Sequence, residues 1–251
     1  MDTFTHDILR NEEFRKLAAI GGHRKYHLEG DALVHTLNVI AQAKTLFKED
    51  PLMVKVAALH DIGKIYTSIG HGEGDWEYPD HAQCGSFRGV LCRFIPETDP
   101  DFRTVQWFIR NHIKPLFWLD MYGVARREEM NSLLKQPEAL ADPERCTIKN
   151  LAGLALCDIR GSVSAEPQTE LEEYLENLRA DFVYEVVTEF LNEDDECYDF
   201  VAIDAFETYK EAEEFARKTP LDESNGHHNI TVWKTNEQTG DTVADWIIKS
   251  L

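Results

Sequence analysis

Histidine and aspartate recur in this chain where helices are expected to end or to turn an inner face. His35 stands in His35-Thr36-Leu37-Asn38-Val39. His60 and Asp61 are adjacent in Leu59-His60-Asp61-Ile62-Gly63-Lys64, and Asp158 sits in Leu156-Cys157-Asp158-Ile159-Arg160-Gly161. Helical spacing puts Leu151, Leu154 and Asp158 on one face, and Val105, Phe108 and His112 on another. An imidazole or carboxylate on an apolar face must be paired, neutralised or metal-bound, because burying it alone is costly. Two or three histidines with two aspartates form a hard-to-borderline ligand set. Such a set suits one or two divalent ions, Mn²⁺, Fe²⁺, Ni²⁺, Co²⁺, Mg²⁺ or Zn²⁺, in an open, water-bearing site.

Helices are the elements that must position these groups. Asp31 is placed to cap a helix carrying Val34, Leu37, Ile40 and Ala41 at helical spacing. Pro51 opens a second, which runs into His60-Asp61. Residues 65–80 read as a polar, glycine-containing loop. Pro79-Asp80 then starts a helix expected to stop before Pro96. Further helices are expected from Pro100 to Ile113, within 120–146, and from Thr147 to Ile159. Thr169 to Leu191 reads as an amphipathic helix, with Thr169 and Glu172 as a capping box and Leu171, Leu175, Leu178, Phe182, Val186 and Phe190 as its stripe. After the acidic run 193–196, Phe200–Ile203 reads as a strand and Thr208–Lys218 as a helix. Ile230–Lys234 and Thr242–Ile247 read as a hairpin turning at Asn236–Gly240, with Trp233 and Trp246 as a cross-strand pair. The fold class expected is mainly α, with residues 1–195 as a helical domain and 196–251 as a small α+β (β-α-β-β) appendage.

Charge narrows the partners. Of the 251 residues, 26 are basic and 46 acidic, a formal charge of −20. Residues 1–163 hold 20 basic and 23 acidic residues, and residues 164–251 hold 6 and 23. Extended nucleic acid is normally held on a basic surface. No such surface is expected here, which leaves a small substrate or a nucleic-acid end. The acidic run 193–196 reads most simply as a solvated linker, and the alternative is that the acidic C-terminal region meets a basic partner or a second copy of the chain. No run of about 18 apolar residues is present to span a membrane. The first residues lack a basic and then apolar leader, and the five cysteines include no C-x-x-C pair. A reducing, cytoplasmic setting is therefore expected.

The H…HD…D pattern of His35, His60-Asp61 and Asp158 resembles the HD-domain metal-dependent phosphohydrolases. More narrowly, several motifs resemble, in order, the HD region of bacterial tRNA nucleotidyltransferases, the CCA-adding enzymes. They are His27-Leu28-Glu29-Gly30-Asp31 before His35-Thr36-Leu37, Ala57-Ala58-Leu59-His60-Asp61-Ile62-Gly63-Lys64, His81 with Gly85, Asn111-His112, and Asp158-Ile159-Arg160-Gly161. The resemblance spans roughly residues 20–165. It departs from that family in one respect. No Gly-Ser element followed by an Asp-x-Asp pair is found, so CCA addition is not expected. What it implies instead is an HD-type helical bundle with metal-dependent hydrolysis of 2′,3′-cyclic phosphodiesters and of phosphomonoesters such as 2′-nucleotides.

Roles follow from that resemblance. His35, His60, Asp61 and Asp158 would hold a first metal. His81 and His112 would hold a second with Asp61 bridging or, with one metal, contact phosphate and shuttle protons. Lys64 is a candidate phosphate contact, Arg160 a weaker one, and His27, Glu29 and Asp31 would line the entrance or fix the His35 helix. Plainer readings stand beside these. His60-Asp61 could be an exposed helix end, His81 could serve a helix N-terminus and His112 a helix C-terminus. Lys64 could be a solvated lysine, and Arg160 the partner of a nearby carboxylate. The rival functions are a nucleotide-sensing or partner-binding HD module without turnover, and a different HD hydrolase such as a 5′-nucleotidase or a dNTPase.

Overall fold

The computed structural model describes residues 3–22, 25, 27–72, 75–121, 123–179, 182–191, 197–206, 209–219, 228–236 and 242–250. The chain is mainly helical with a small sheet, and it divides into two compact units, Met1–Arg179 and Ala180–Leu251.

In the first unit the helices are α1 (Thr3–Ile8), α2 (Ala32–Leu46), α3 (Pro51–Leu59), α4 (Lys64–Thr67), α5 (His81–Ser86), α6 (Arg88–Leu91), α7 (Phe102–Asn111), α8 (Gly123–Leu134), α9 (Pro137–Ala141), α10 (Ile148–Gly161) and α11 (Thr169–Arg179). The cap at Asp31 is the one the sequence offers, and Asp50 and Thr147 cap two further helices. Asp31 accepts from the Val34 amide at 2.9 Å, Asp50 from that of Leu52 at 2.9 Å, and Thr147 from that of Asn150 at 3.1 Å. Each such cap contributes about 1 kcal/mol. α3 is buried almost all round, through Leu52, Met53, Val54, Val56, Ala57, Ala58 and Leu59, and so forms the axis of the unit. α2, α7 and α10 pack around it, with Trp107, Phe108, Leu151 and Leu154 fully buried between them.

Three expectations are corrected here. The stretch 65–80 is more than a loop. It contains α4 and a short hairpin, β1 (Ile69–Gly70) with β2 (Trp76–Glu77). The helix expected up to Pro96 is broken into α5 and α6, because Phe87 takes an extended conformation and turns its ring outward. The helix expected to run to Leu191 stops at Arg179, and Phe182–Leu191 is a strand, β3. Its β-branched and aromatic residues, Phe182, Val183, Tyr184, Val186, Val187, Thr188 and Phe190, satisfied both a helical and a strand reading. Pairing on both edges decides for the strand.

The second unit is a four-stranded antiparallel sheet of order β4-β3-β5-β6, with β4 at Cys197–Phe206, β5 at His228–Asn236 and β6 at Thr242–Ser250. Helix α12 (Tyr209–Lys218) lays Ala212 and Ala216 on Val186, Ile230 and Val232. The chain order is therefore β-β-α-β-β, where β-α-β-β was expected. The expected pairing of Trp233 with Trp246 is also corrected. The register sets Trp233 opposite Asp245 and Trp246 opposite Val232, and Trp233 donates to Glu189 at 2.8 Å. The acidic run 193–196 and the turn at 237–240 lie outside the described residues. Among those described, no helix is long and apolar enough to cross a membrane.

Candidate metal centre

Two glycines set the spacing that gathers the site. A Cβ on Gly161 would lie 2.6 Å from Val39 Cγ2 and 2.9 Å from its amide nitrogen. Only glycine lets α10 come this close to α2, which brings His35 and Asp158 together. A Cβ on Gly63 would lie 1.9 Å from the His81 carbonyl and 2.7 Å from the Gly85 amide. Its absence lets α5 meet the end of α3, which brings His81 to Asp61.

The imidazoles are then aimed. His60 and His112 follow the last residues of α3 and α7, where carbonyl groups lack helical partners. The Nδ1 of His60 lies 2.8 Å from the Ala57 carbonyl, that of His112 2.7 Å from Ile109, and that of His81 2.9 Å from Tyr78. A carbonyl only accepts, so each Nδ1 carries a proton and each ring turns its Nε2 inward. The fourth ring, His35, is held through Nδ1 by Glu29 Oε1 at 3.0 Å.

All four Nε2 atoms converge on two carboxylates. His35 Nε2 is 2.9 Å from Asp158 Oδ1 and 3.6 Å from Asp61 Oδ2, and His60 Nε2 is 3.4 Å from Asp61 Oδ2. The other oxygen of Asp61, Oδ1, faces His81 Nε2 at 3.3 Å and His112 Nε2 at 3.7 Å. Asp61 thus has one oxygen toward each of two histidine pairs. His35, His60, Asp61 and His112 are buried, and the His81 and Asp158 side chains keep 14% and 13% exposure, which marks the open side. The Nε2 atoms of His35 and His60 make no hydrogen bond although both are fully buried. Two sets of side chains, His35-His60-Asp61 and Asp61-His81-His112, bring potential ligand atoms close enough to hold an ion. The donors and the unmatched buried nitrogens fit a divalent cation.

Electrostatics follow from burial and pairing. Burial lowers the pKa of His112 to about 3, helped by His81 and His60. Burial also acts to lower that of His35, but contact with Asp158 and Glu29 outweighs it and raises the value to about 9. For Asp61 and Asp158 burial acts upward and loses. Lys64 and His60 hold Asp61 well below the usual carboxylate range, and His35 and His60 do the same for Asp158.

The structure brings His35, His60, Asp61, His81, His112 and Asp158 into one cluster. Lys64 is buried rather than solvated. Its ammonium is 2.5 Å from Asp61 Oδ2 and 4.4 Å from the centre of the Tyr78 ring. His27 borders the cluster, with its ring 4.7 Å from that of His35 and its Nδ1 3.0 Å from Glu29. The guanidinium of Arg160 is engaged by Glu172 and Glu176 of α11, as the carboxylate-partner reading has it. Sequence reasoning missed Tyr78 and Ser162. Tyr78 orients His81 with its carbonyl, lies against Lys64 with its ring and donates its hydroxyl to the Gly21 carbonyl. Ser162 Oγ lies 3.4 Å and 3.5 Å from the Nδ1 atoms of His27 and His35. Their only signal was position, three residues before His81 and at the end of the Asp158 helix.

Comparison with known proteins agrees with this arrangement at a coarse level. A multifunctional CCA protein of Pasteurella multocida (strain Pm70) is 31% identical to the chain over 175 residues. The match covers 62% of this chain and 38% of that protein, so the chain spans well under half the length of its relative. No protein-family model matches, and no solved structure matches. The similarity supports a relationship to the CCA proteins, and the buried His/Asp cluster is a candidate metal site.

Proposed function

We propose that the helical unit is an HD-type phosphohydrolase domain that hydrolyses 2′,3′-cyclic phosphodiesters and phosphomonoesters on nucleotides or RNA ends. The observation that carries this reading is the arrangement of four imidazole Nε2 atoms around two carboxylates, with Asp61 dividing its oxygens between two pairs. Such sites serve in-line displacement at phosphorus, where attacking and leaving oxygens both need stabilising. The relative's description as a multifunctional CCA protein supports the choice of a nucleotide or RNA-end substrate.

In this reading His35, His60, Asp61 and Asp158 hold the first ion. His81 and His112 hold a second, with Asp61 shared between them. A divalent cation, when bound, supplies Lewis-acid polarisation of a phosphoryl oxygen and acidifies water at neutral pH. The chain's own groups do the rest. The tied Nδ1 atoms keep the four rings from turning, so no reorganisation accompanies the reaction. If only one ion is held, His81, on the open side, is the group placed to take a proton from water at Nε2 and shuttle it to the leaving oxygen. His27 lies at the rim for substrate, and Lys64 neutralises Asp61 until an ion replaces it. A reducing, cytoplasmic compartment belongs to the same proposal, supported by five cysteines without a C-x-x-C pair.

The test is hydrolysis of 2′,3′-cyclic AMP by metal-stripped protein, with Mn²⁺, Ni²⁺, Co²⁺, Mg²⁺ or Zn²⁺ returned singly and Asp61→Ala as control. Turnover that needs metal and vanishes in the variant is expected. No turnover by metal-loaded wild type sinks the cyclic-phosphate reading and leaves nucleoside mono- and triphosphates to be tried. Failure to bind metal favours a sensing or partner-binding module.

A further inference from the structure

Glu29 stands outside the cluster of ligands but touches the two segments that close it. Its side chain is 3% exposed. Oε1 lies 3.0 Å from His35 Nδ1 and 3.0 Å from His27 Nδ1, and Oε2 accepts from the Val163 amide at 2.8 Å. Around it the chain before α2 and the chain after α10 are fastened together. The Leu28 amide donates to the Val163 carbonyl at 2.8 Å, and the Ala165 amide to the Lys25 carbonyl at 3.0 Å. α2 carries His35 and α10 carries Asp158.

His35 differs from the other three rings in one way. His60, His81 and His112 are oriented by carbonyls three residues earlier, which no side-chain substitution removes. His35 is early in α2 and is oriented by a side chain instead. His27, Glu29 and His35 also lie close enough together to hold an ion of their own. Both rings meet Glu29 at hydrogen-bond distance, however, and the Nε2 of His35 already faces Asp158 and Asp61, so the group reads as an orienting set.

We infer that Glu29 is the positioning residue of this centre: it fixes the tautomer and angle of the His35 ring while clasping the α10 exit onto the α2 entry. The inference rests on the metal reading above. Partners that orient a metal-bound histidine in this way typically contribute roughly 10–100-fold in metal affinity.

The experiment is calorimetric titration of metal-free protein with Mn²⁺, comparing wild type, Glu29→Gln and Thr147→Ala. Glu29→Gln keeps the shape of the side chain but cannot accept from both rings and the Val163 amide together. Thr147→Ala removes the cap of α10 and so loosens the same helix without touching His35. Glu29→Gln is expected to bind Mn²⁺ roughly 10–100-fold more weakly. Thr147→Ala is expected to melt at a lower temperature with unchanged affinity. Loaded with Co²⁺, Glu29→Gln is also expected to show altered visible absorption bands, as the imidazole field changes. Wild-type affinity and spectrum in Glu29→Gln overturn the inference, and so does equal weakening by Thr147→Ala, which would signal loosening alone. A wild type that binds no Mn²⁺ overturns the metal reading itself, and this inference with it.

Discussion

Two of the charged clusters in the helical unit, one at Lys55 and one at Asp61, are satisfied to different degrees. On one side, Lys55 of α3 donates to both oxygens of Asp99 at 2.9 Å and to Asp101 at 2.9 Å. Asp101 also receives Arg145 at 3.0 Å, and Asp99 accepts the Asp101 amide at 2.9 Å. Donors and acceptors are matched, and the cluster ties α3 to the start of α7. On the other side, four imidazoles and Asp158 crowd around Asp61. The Nε2 atoms of His35 and His60 are buried without a hydrogen bond. The first cluster closes on itself and is structural. The second leaves buried nitrogens without a hydrogen-bond partner.

The largest test of this contrast is Asp61→Asn. Asp61 serves both histidine pairs, and loss of its charge should remove several kcal/mol of transition-state stabilisation. At about 4 kcal/mol that is on the order of 10³-fold in turnover of 2′,3′-cyclic AMP. A cooperative melting transition should persist. An Asp61→Asn enzyme with near-normal kcat would mean that the chemistry lies elsewhere.

His81→Ala asks whether the cluster itself has two unequal halves. The His35 side has Asp158 as a second carboxylate, and the His81 side has only its share of Asp61. Turnover should fall by about 10²-fold, the lower range for a lost proton-transfer group. The tighter of the metal-binding events, seen by calorimetry, should remain. If it disappears too, the halves are one site.

Lys55→Met makes the opposite prediction, a change in stability with little change in rate. Removing one partner of a largely buried charge cluster leaves two carboxylates with less compensation, and the expected loss is about 2–3 kcal/mol after allowing for partial solvent access. The kcat should stay within about twofold, because the sites are separate. pH sharpens the point. Burial acts to lower the pKa of Lys55, but Asp101 and Asp99 outweigh it and raise it above 10.5. A raised cationic pKa gives stability that is complete below the unfolded value and is lost as pH rises through the folded one. The stability gap between wild type and Lys55→Met should therefore be constant at neutral pH and shrink above 10.5. A gap that already narrows at neutral pH would show that Lys55 is not its source.

The contrast also explains what could be read from the sequence. His35, His60-Asp61, His81, His112 and Asp158 were legible because chemistry demands those residue types, and the helices around them announce themselves by spacing and caps. Tyr78 was not, because its task is done by its carbonyl, which every residue has. Arg160 was legible as the partner of a carboxylate, but which carboxylates, Glu172 and Glu176 on a later helix, only the fold shows. The stretch Phe182–Leu191 misled. Its apolar residues fit a helical stripe, and only the partner strands β4 and β5, far along the chain, decide otherwise. Local pattern identifies groups, but the pairing of distant segments determines whether they are free.

Tyr78 gives the smallest and most discriminating prediction, because it belongs to both kinds of interaction at once. Its hydroxyl is a matched structural bond to the Gly21 carbonyl, while its ring and carbonyl serve Lys64 and His81. Tyr78→Phe removes the hydroxyl alone and should lower stability by about 1 kcal/mol, with metal affinity unchanged. Tyr78→Leu also removes the ring from Lys64, a further contribution of roughly 0.5–2 kcal/mol that should appear at the site. The two variants should therefore separate, the first in melting temperature only and the second in melting temperature and turnover together. If Tyr78→Phe alone weakens Mn²⁺ binding tenfold, the anchor at Gly21 is part of the metal centre, and the division between matched and unmatched clusters does not hold at their border.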